Sequence, residues 1–146
     1  MALTVIVRGL PKAGKNSLAI DLTKRIRRKY QGRITFKLLN TERLRRVFNT
    51  PQERLNYITD ILMWTNMAHI SLFVVLEATD VDTVDAIVYE SERSVIIKVV
   101  DDVTEPTPEN VTLLEETWED HPDEITVYRS TLDMEATMEK IMKLYN

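Results

Sequence analysis

The sequence contains no cysteine and only three glycines in 146 residues. Without thiols there is no disulfide framework and no thiolate metal site. Stability must come from a packed core, and 44% hydrophobic with 29% charged residues is an ordinary globular balance for one. No run is long and apolar enough to span a membrane, and the first residues do not read as a signal peptide. With cysteine missing as well, the expectation is a cytoplasmic chain. Cations are scarce in the second part: residues 61–146 carry 5 Lys/Arg against 19 Asp/Glu, whereas residues 1–60 carry 14 against 4. The basic part makes a phosphate-rich ligand the natural expectation. Nucleic acid is not the expected partner, because the net charge is −4 and no aromatic–basic platform is present. Lys24, Arg25, Arg27, Arg28 and Lys29 also fall near a helix C-terminus, where the dipole favours cations. A solvated helix face and a ligand role therefore stand side by side for them.

What is present is a regular alternation of short apolar runs and amphipathic segments. Residues 3–7 form a β-branched run that reads as a buried strand, and residues 8–15 read as a loop. Leu18, Leu22, Ile26 and Tyr30, four apart, predict a helix over 17–30. Strands are predicted at 34–39, 72–76, 95–100 and 125–128. Helices are predicted at 41–48, 80–89 and 133–145, with a shorter helical piece at 113–119. Thr50-Pro51-Gln52-Glu53 reads as a capped start of a helix reaching about residue 69. Residues 101–112 read as an acidic loop. The alternation predicts an α/β, three-layer fold: a mostly parallel five-stranded sheet with helices on both faces. With no repeat and no linker, residues 1–146 read as one domain.

Two of the three glycines lie in Gly9-Leu10-Pro11-Lys12-Ala13-Gly14-Lys15-Asn16, which reads G-x-x-x-x-G-K-N between a strand and a helix. A phosphate-binding loop of the P-loop NTPase kind ends G-K-[ST]. Gly9 and Gly14 would let backbone N–H groups turn toward phosphate oxygens. The helix that follows would offer its N-terminus, Lys15 would reach the outer phosphates, and Lys12 would add a cation. Asn16 replaces the hydroxyl that coordinates magnesium beside the β- and γ-phosphates. Ser17 supplies a hydroxyl one residue later, about a third of a turn away. The expected ligand is ATP or a related adenine nucleotide, without a secure Mg2+ site. His69 and His121 lack metal-ligand spacing and read as structural or exposed. Glu77 falls at a strand end, where open parallel sheets bind ligands, and reads equally as a surface carboxylate.

With the loop placed, the chain resembles the adenylylsulfate (APS) kinase family, which phosphorylates the 3′-hydroxyl of APS. TVIVRGLPKAGKNSLA is similar to that family's strand, loop and helix, written there with G-L-S-G-S-G-K-S-T. LLNTERLR stands where the family has L-D-G-D-N-V-R. Asn56 matches the asparagine of D-R-x-x-N, SLFVVLEA the third strand, and ITVYRSTLDMEATMEKIMKLY the last strand and helix. The resemblance spans most of the chain with no motif intact. It implies that Gly9, Gly14, Lys15 and Ser17 hold nucleotide phosphates, and that Arg45, Arg54 and Asn56 line the acceptor pocket. It further implies that Glu42, with Lys15, stands where catalytic groups are found. Asn40 replaces the family's first aspartate, and acidic DDVTEPTPEN replaces its basic lid. Each missing electrostatic contact costs about tenfold to a thousandfold in rate. The resemblance therefore implies a degenerate, regulatory member with weak or no kinase activity and a small-molecule nucleotide as ligand. It leaves open a homo-oligomer or a protein partner. Two other readings stay open: a working APS kinase with an altered metal site, and an interaction domain whose loop is a relic.

Overall fold

The computed structural model describes residues 3–10, 14–30, 36–40, 47–67, 72–77, 81–91, 93–105, 107–108 and 121–145. Strand β1, Leu3–Arg8, is buried along its whole length. A run this rich in apolar, β-branched residues has no solvent face to offer, so it is placed inside the sheet. Strands β2 (Phe36–Asn40), β3 (Leu72–Glu77), β4 (Arg93–Val100) and β5 (Ile125–Tyr128) complete the order β2-β3-β1-β4-β5. Every neighbouring pair is parallel, with Leu3 opposite both Leu72 and Arg93.

Alternation along β1 divides the core. Leu3, Val5 and Val7 face helix α1 (Lys15–Tyr30) through Leu18, Leu22 and Ile26, and helix α4 (Met134–Tyr145) through Met138, Ile141 and Met142. Ile6 faces helices α2 (Pro51–Met67) and α3 (Val81–Glu90) through Ile58, Leu62, Val84 and Ile87. Strand order explains the split. A right-handed crossover puts its helix on the face set by its direction across the sheet. The β1-to-β2 step runs one way, and the steps through β3 to β4 run the other. Hence α1 lies opposite α2 and α3, leaving its face free for α4.

Local chemistry sets the helix starts. The Glu53 N–H donates to Thr50 Oγ1 at 3.2 Å, so the threonine caps α2 as its sequence suggests. The Ala136 N–H donates to Asp133 Oδ1 at 3.1 Å, which caps α4. Helix α2 is described over Pro51–Met67, and its expected end near residue 69 lies outside the described residues. The expected helices at 41–48 and 113–119 fall largely or wholly outside the described residues, as does His69. Among the described residues no helix is long and apolar enough to cross a membrane.

Candidate functional site

The loop after β1 is built around a glycine and a lysine. Gly14 has φ +102°, a conformation that side chains with a Cβ rarely adopt. Its carbonyl accepts the first bond of α1, from the Leu18 N–H at 3.0 Å. Lys15 opens the helix and folds back into the loop. Its Nζ donates to the carbonyl oxygens of Gly9 (3.0 Å) and Leu10 (2.8 Å), and the residue is only 5% exposed. The ammonium thus ties the first residues of the loop to the last. Asn16 and Ser17 are exposed on the first turn. The first N–H groups of a helix have no partner within it, and carry the positive end of its dipole. Helices α2 and α4 answer that charge with Glu53 and Glu135 in their first turns, whereas α1 has no acid there.

Beside the loop lies a cavity of about 180 Å3. Leu18, Val99, Val127 and Leu132 give it apolar walls, and Ser17, Asp21 and Arg129 lie at its polar side. Its size suits one flat ring system rather than a whole nucleotide. The segment after β4 is strapped to the turn after β5 that forms part of this cavity. Asp101 Oδ1 accepts from the Val103 and Thr104 N–H groups at 3.0 and 3.2 Å, and its Oδ2 accepts from Arg129 at 3.2 Å and from the Thr104 hydroxyl. Asp102 accepts from the Ser130 N–H at 2.8 Å and from the Ser130 hydroxyl. The Thr104 hydroxyl foremost, then the Thr104 and Val103 N–H groups, hold the Asp101 carboxyl down at about 2. The Ser130 hydroxyl likewise lowers Asp102. These carboxylates are satisfied by their own chain.

Under the loop is a group that the sequence reading missed. Arg8 was assigned to the loop; it is the last residue of β1 and fully buried. Its guanidinium donates to Glu124 Oε2 at 2.7 Å, 116 positions away, and Lys98 Nζ lies 3.8 Å from Oε1 of the same carboxylate. Arg8 sits in register with Lys98 on β4 and Glu77 on β3. A charge at a strand end reads as loop in a single sequence, and only the folded sheet brings its partner near. Next to it, His121 Nδ1 accepts from the Asp123 N–H at 3.1 Å, which leaves the Nε2 hydrogen to donate to Asp85 of α3 at 2.8 Å. That fully bonded imidazole is a tether. Among the described residues no group of three or more potential metal ligands occurs.

The structure brings Gly9, Gly14 and Lys15 together and sets Asn16 and Ser17 beside them. Arg54 lies on the buried side of α2 with Ile58 and Leu62, four and eight positions on, at 8% exposure. Asn56 lies on the exposed side, where its Oδ1 accepts from Gln52 at 2.9 Å. Lys12, Glu42 and Arg45 lie outside the described residues.

The arrangement defines a class. No family model matches the sequence, and no curated protein matches it. Solved structures do match its fold. One is a sugar kinase from a Janibacter species (12% identity, 99% of this chain and 94% of that one, TM-score 0.60). Another is a gluconokinase from Sinorhizobium meliloti (13%, 97% and 90%, TM-score 0.58). A third is a hexameric APS kinase from Thiobacillus denitrificans (16%, TM-score 0.63), in which 98% of this chain spans 28% of that one. Identities this low establish the fold alone: the chain has a P-loop kinase-like α/β fold, with a parallel sheet and flanking helices.

Proposed function

We propose that this chain binds an adenine nucleotide at the β1–α1 loop, transfers phosphate weakly or not at all, and acts as a degenerate, regulatory APS-kinase-like domain. The observation that carries the reading is Lys15. Its buried ammonium donates to the Gly9 and Leu10 carbonyls in the loop, at the start of a helix with no acid in its first turn. A phosphate is a stronger acceptor for that ammonium than a carbonyl, because its bond is charge-assisted. In this reading Gly9, Lys12, Gly14, Lys15, Asn16 and Ser17 hold the phosphates, and the cavity beside Leu18 and Arg129 takes the base.

Catalysis is the weaker half of the reaction inventory. Asn16 brings an amide where magnesium wants a hydroxyl. Asp101 and Asp102 place negative charge beside the cavity, the wrong sign for closing over a triphosphate. Lys15 remains as a transition-state cation and Glu42 as the acidic group of the acceptor side. Arg45, Arg54 and Asn56 are the acceptor residues by resemblance. The names of the similar structures differ in acceptor (a sugar, gluconate, APS), so the fold by itself favours none. APS is preferred here on the sequence resemblance.

Calorimetry with ATP and with APS, each with and without magnesium, tests the reading. ATP binding indifferent to magnesium, with no ADP formed on adding APS, is expected. Magnesium-dependent ADP release with APS would establish an active kinase instead. Absence of any nucleotide binding would leave a relic loop on an interaction domain.

A further inference from the structure

A second charged feature lies between helices α1 and α4, on the sheet face away from α2 and α3. The two helices border a groove of about 430 Å3, with buried Met138 among its walls. Toward the start of α1, Arg25 is already paired, donating to Glu135 at 2.7 Å and to Asp21 at 3.1 Å. Lys24, Arg28 and Lys29 line the rest of the groove. They are exposed, and make no ion pair among the described residues.

This crowding carries a cost. Lys24 with Arg28, and Arg25 with Lys29, are like charges four apart, which destabilise a helix. The helix dipole amounts to about half a charge at its C-terminus, so it balances only part of the excess. The two carboxylates of the groove, Asp21 and Glu135, both bond to Arg25 and leave the other three cations unanswered. A polyanion in the groove would offset the repulsion.

We infer that the groove between α1 and α4 is a binding site for a compact polyphosphate, held by Lys24, Arg28 and Lys29. Its volume lies in the small-molecule range of about 300–1,000 Å3. From Lys24 to Lys29 the helix rises about 7.5 Å, which a short chain of phosphoryl groups covers. Arg28 offers a planar fork to two phosphate oxygens, and the lysines act as point charges. A long acidic polypeptide fits less well, because it would run on into the carboxylates of Asp21 and Glu135. A nucleic acid would find no aromatic ring in the lining on which to stack a base. Lys15 opens α1 and Lys24 stands about 13 Å further along it, so the groove is separate from the β1–α1 loop. The inference does not depend on nucleotide binding at that loop.

The test is calorimetry with inorganic tripolyphosphate in about 0.15 M salt, where the field of scattered surface charge is screened beyond about 8 Å. The Lys15→Ala chain is titrated, so that uptake at the β1–α1 loop does not contribute. Saturable binding of a single molecule per chain is expected, together with a shift of the Met138 methyl resonance. Lys24→Gln/Arg28→Gln/Lys29→Gln in the same background should weaken binding by at least about tenfold and abolish that shift. ATP in the same titration separates two sources of the ligand. Competition with tripolyphosphate assigns the phosphate chain of a nucleotide as an occupant, and failure to compete assigns the free polyphosphate. Absence of saturable binding, binding indifferent to the triple substitution, or a Met138 methyl that does not respond would each overturn the inference. In the unmodified chain the Met138 methyl reads the same groove, which decides the matter even where a variant folds poorly. Such a failure leaves the Lys15-dependent part of nucleotide binding untouched.

Discussion

Two connections leave the carboxyl ends of adjacent strands, one after β1 and one after β4, and they dispose of charge in opposite ways. After β1, the first turn of α1 carries no acid, and the Lys15 ammonium donates to the carbonyls of Gly9 and Leu10. After β4, Asp101 and Asp102 take hydrogen bonds from Val103, Thr104, Arg129 and Ser130. Their oxygens are hydrogen-bonded within the chain. One connection places a buried cation at the start of a helix, and the other is a brace. The difference shows why charge counts alone mislead: the acidic segment is not a ligand site merely because it is acidic.

The comparison can be broken most forcefully beneath the first connection. Glu124→Ala removes the carboxylate that accepts from the buried Arg8 guanidinium, and should lower unfolding free energy by about 3–5 kcal/mol, measured by urea denaturation. A loss under 1 kcal/mol would mean that water reaches Arg8 and that the loop rests on something else. Next in size, Lys15→Ala should weaken ATP binding by about 1.5–3 kcal/mol with the fold intact, as read by calorimetry and circular dichroism. Equal affinity in the two proteins would remove the contrast between the connections.

The brace is tested by acid. The carboxyl of Asp101 lies at about 2 in the fold against an ordinary 3.8. Its contribution is present above pH 3.8 and is lost as pH falls toward about 2. Asp101→Asn should therefore flatten the acid limb of the stability curve in that window, leaving behaviour at neutral pH nearly unchanged in slope. An unchanged acid limb would show that the strap does not hold in solution. The smallest expected effect is Asn16→Ser. Restoring a hydroxyl at the exposed first turn should make ATP binding magnesium-dependent, strengthening it by about 0.5–1.5 kcal/mol. No gain would move the defect away from Asn16.

Local signals made part of this molecule legible beforehand. The β-branched run at Leu3 and the fourfold spacing of Leu18, Leu22 and Ile26 are short-range patterns, and both elements stand where they were expected. Thr50 caps α2 because capping is likewise settled within four residues. What escaped depends on distant pairing. Arg8 reads as loop until Glu124 is known to be its neighbour. The cavity exists only because β5 pairs with β4, bringing Val127 beside Val99. Asp101 and Asp102 read as solvated charge until the turn at Arg129–Thr131 closes on them. Arg54 and Asn56, two residues apart on a helix, could not share an orientation, and the resemblance that suggested both carried no periodicity.

The central placement of β1 bears on how the molecule comes together in time. Its neighbours are Leu72 and Arg93 for Leu3, and the helix that shares its face with α1 is the last in order. Contacts this remote in sequence make for slow folding. During synthesis, the segment that will hold Lys15 emerges early but waits for β3, β4 and α4 before its surroundings exist. The surroundings of Lys15 are then among the last to be completed, although its own segment is made before the strands and helix that enclose it.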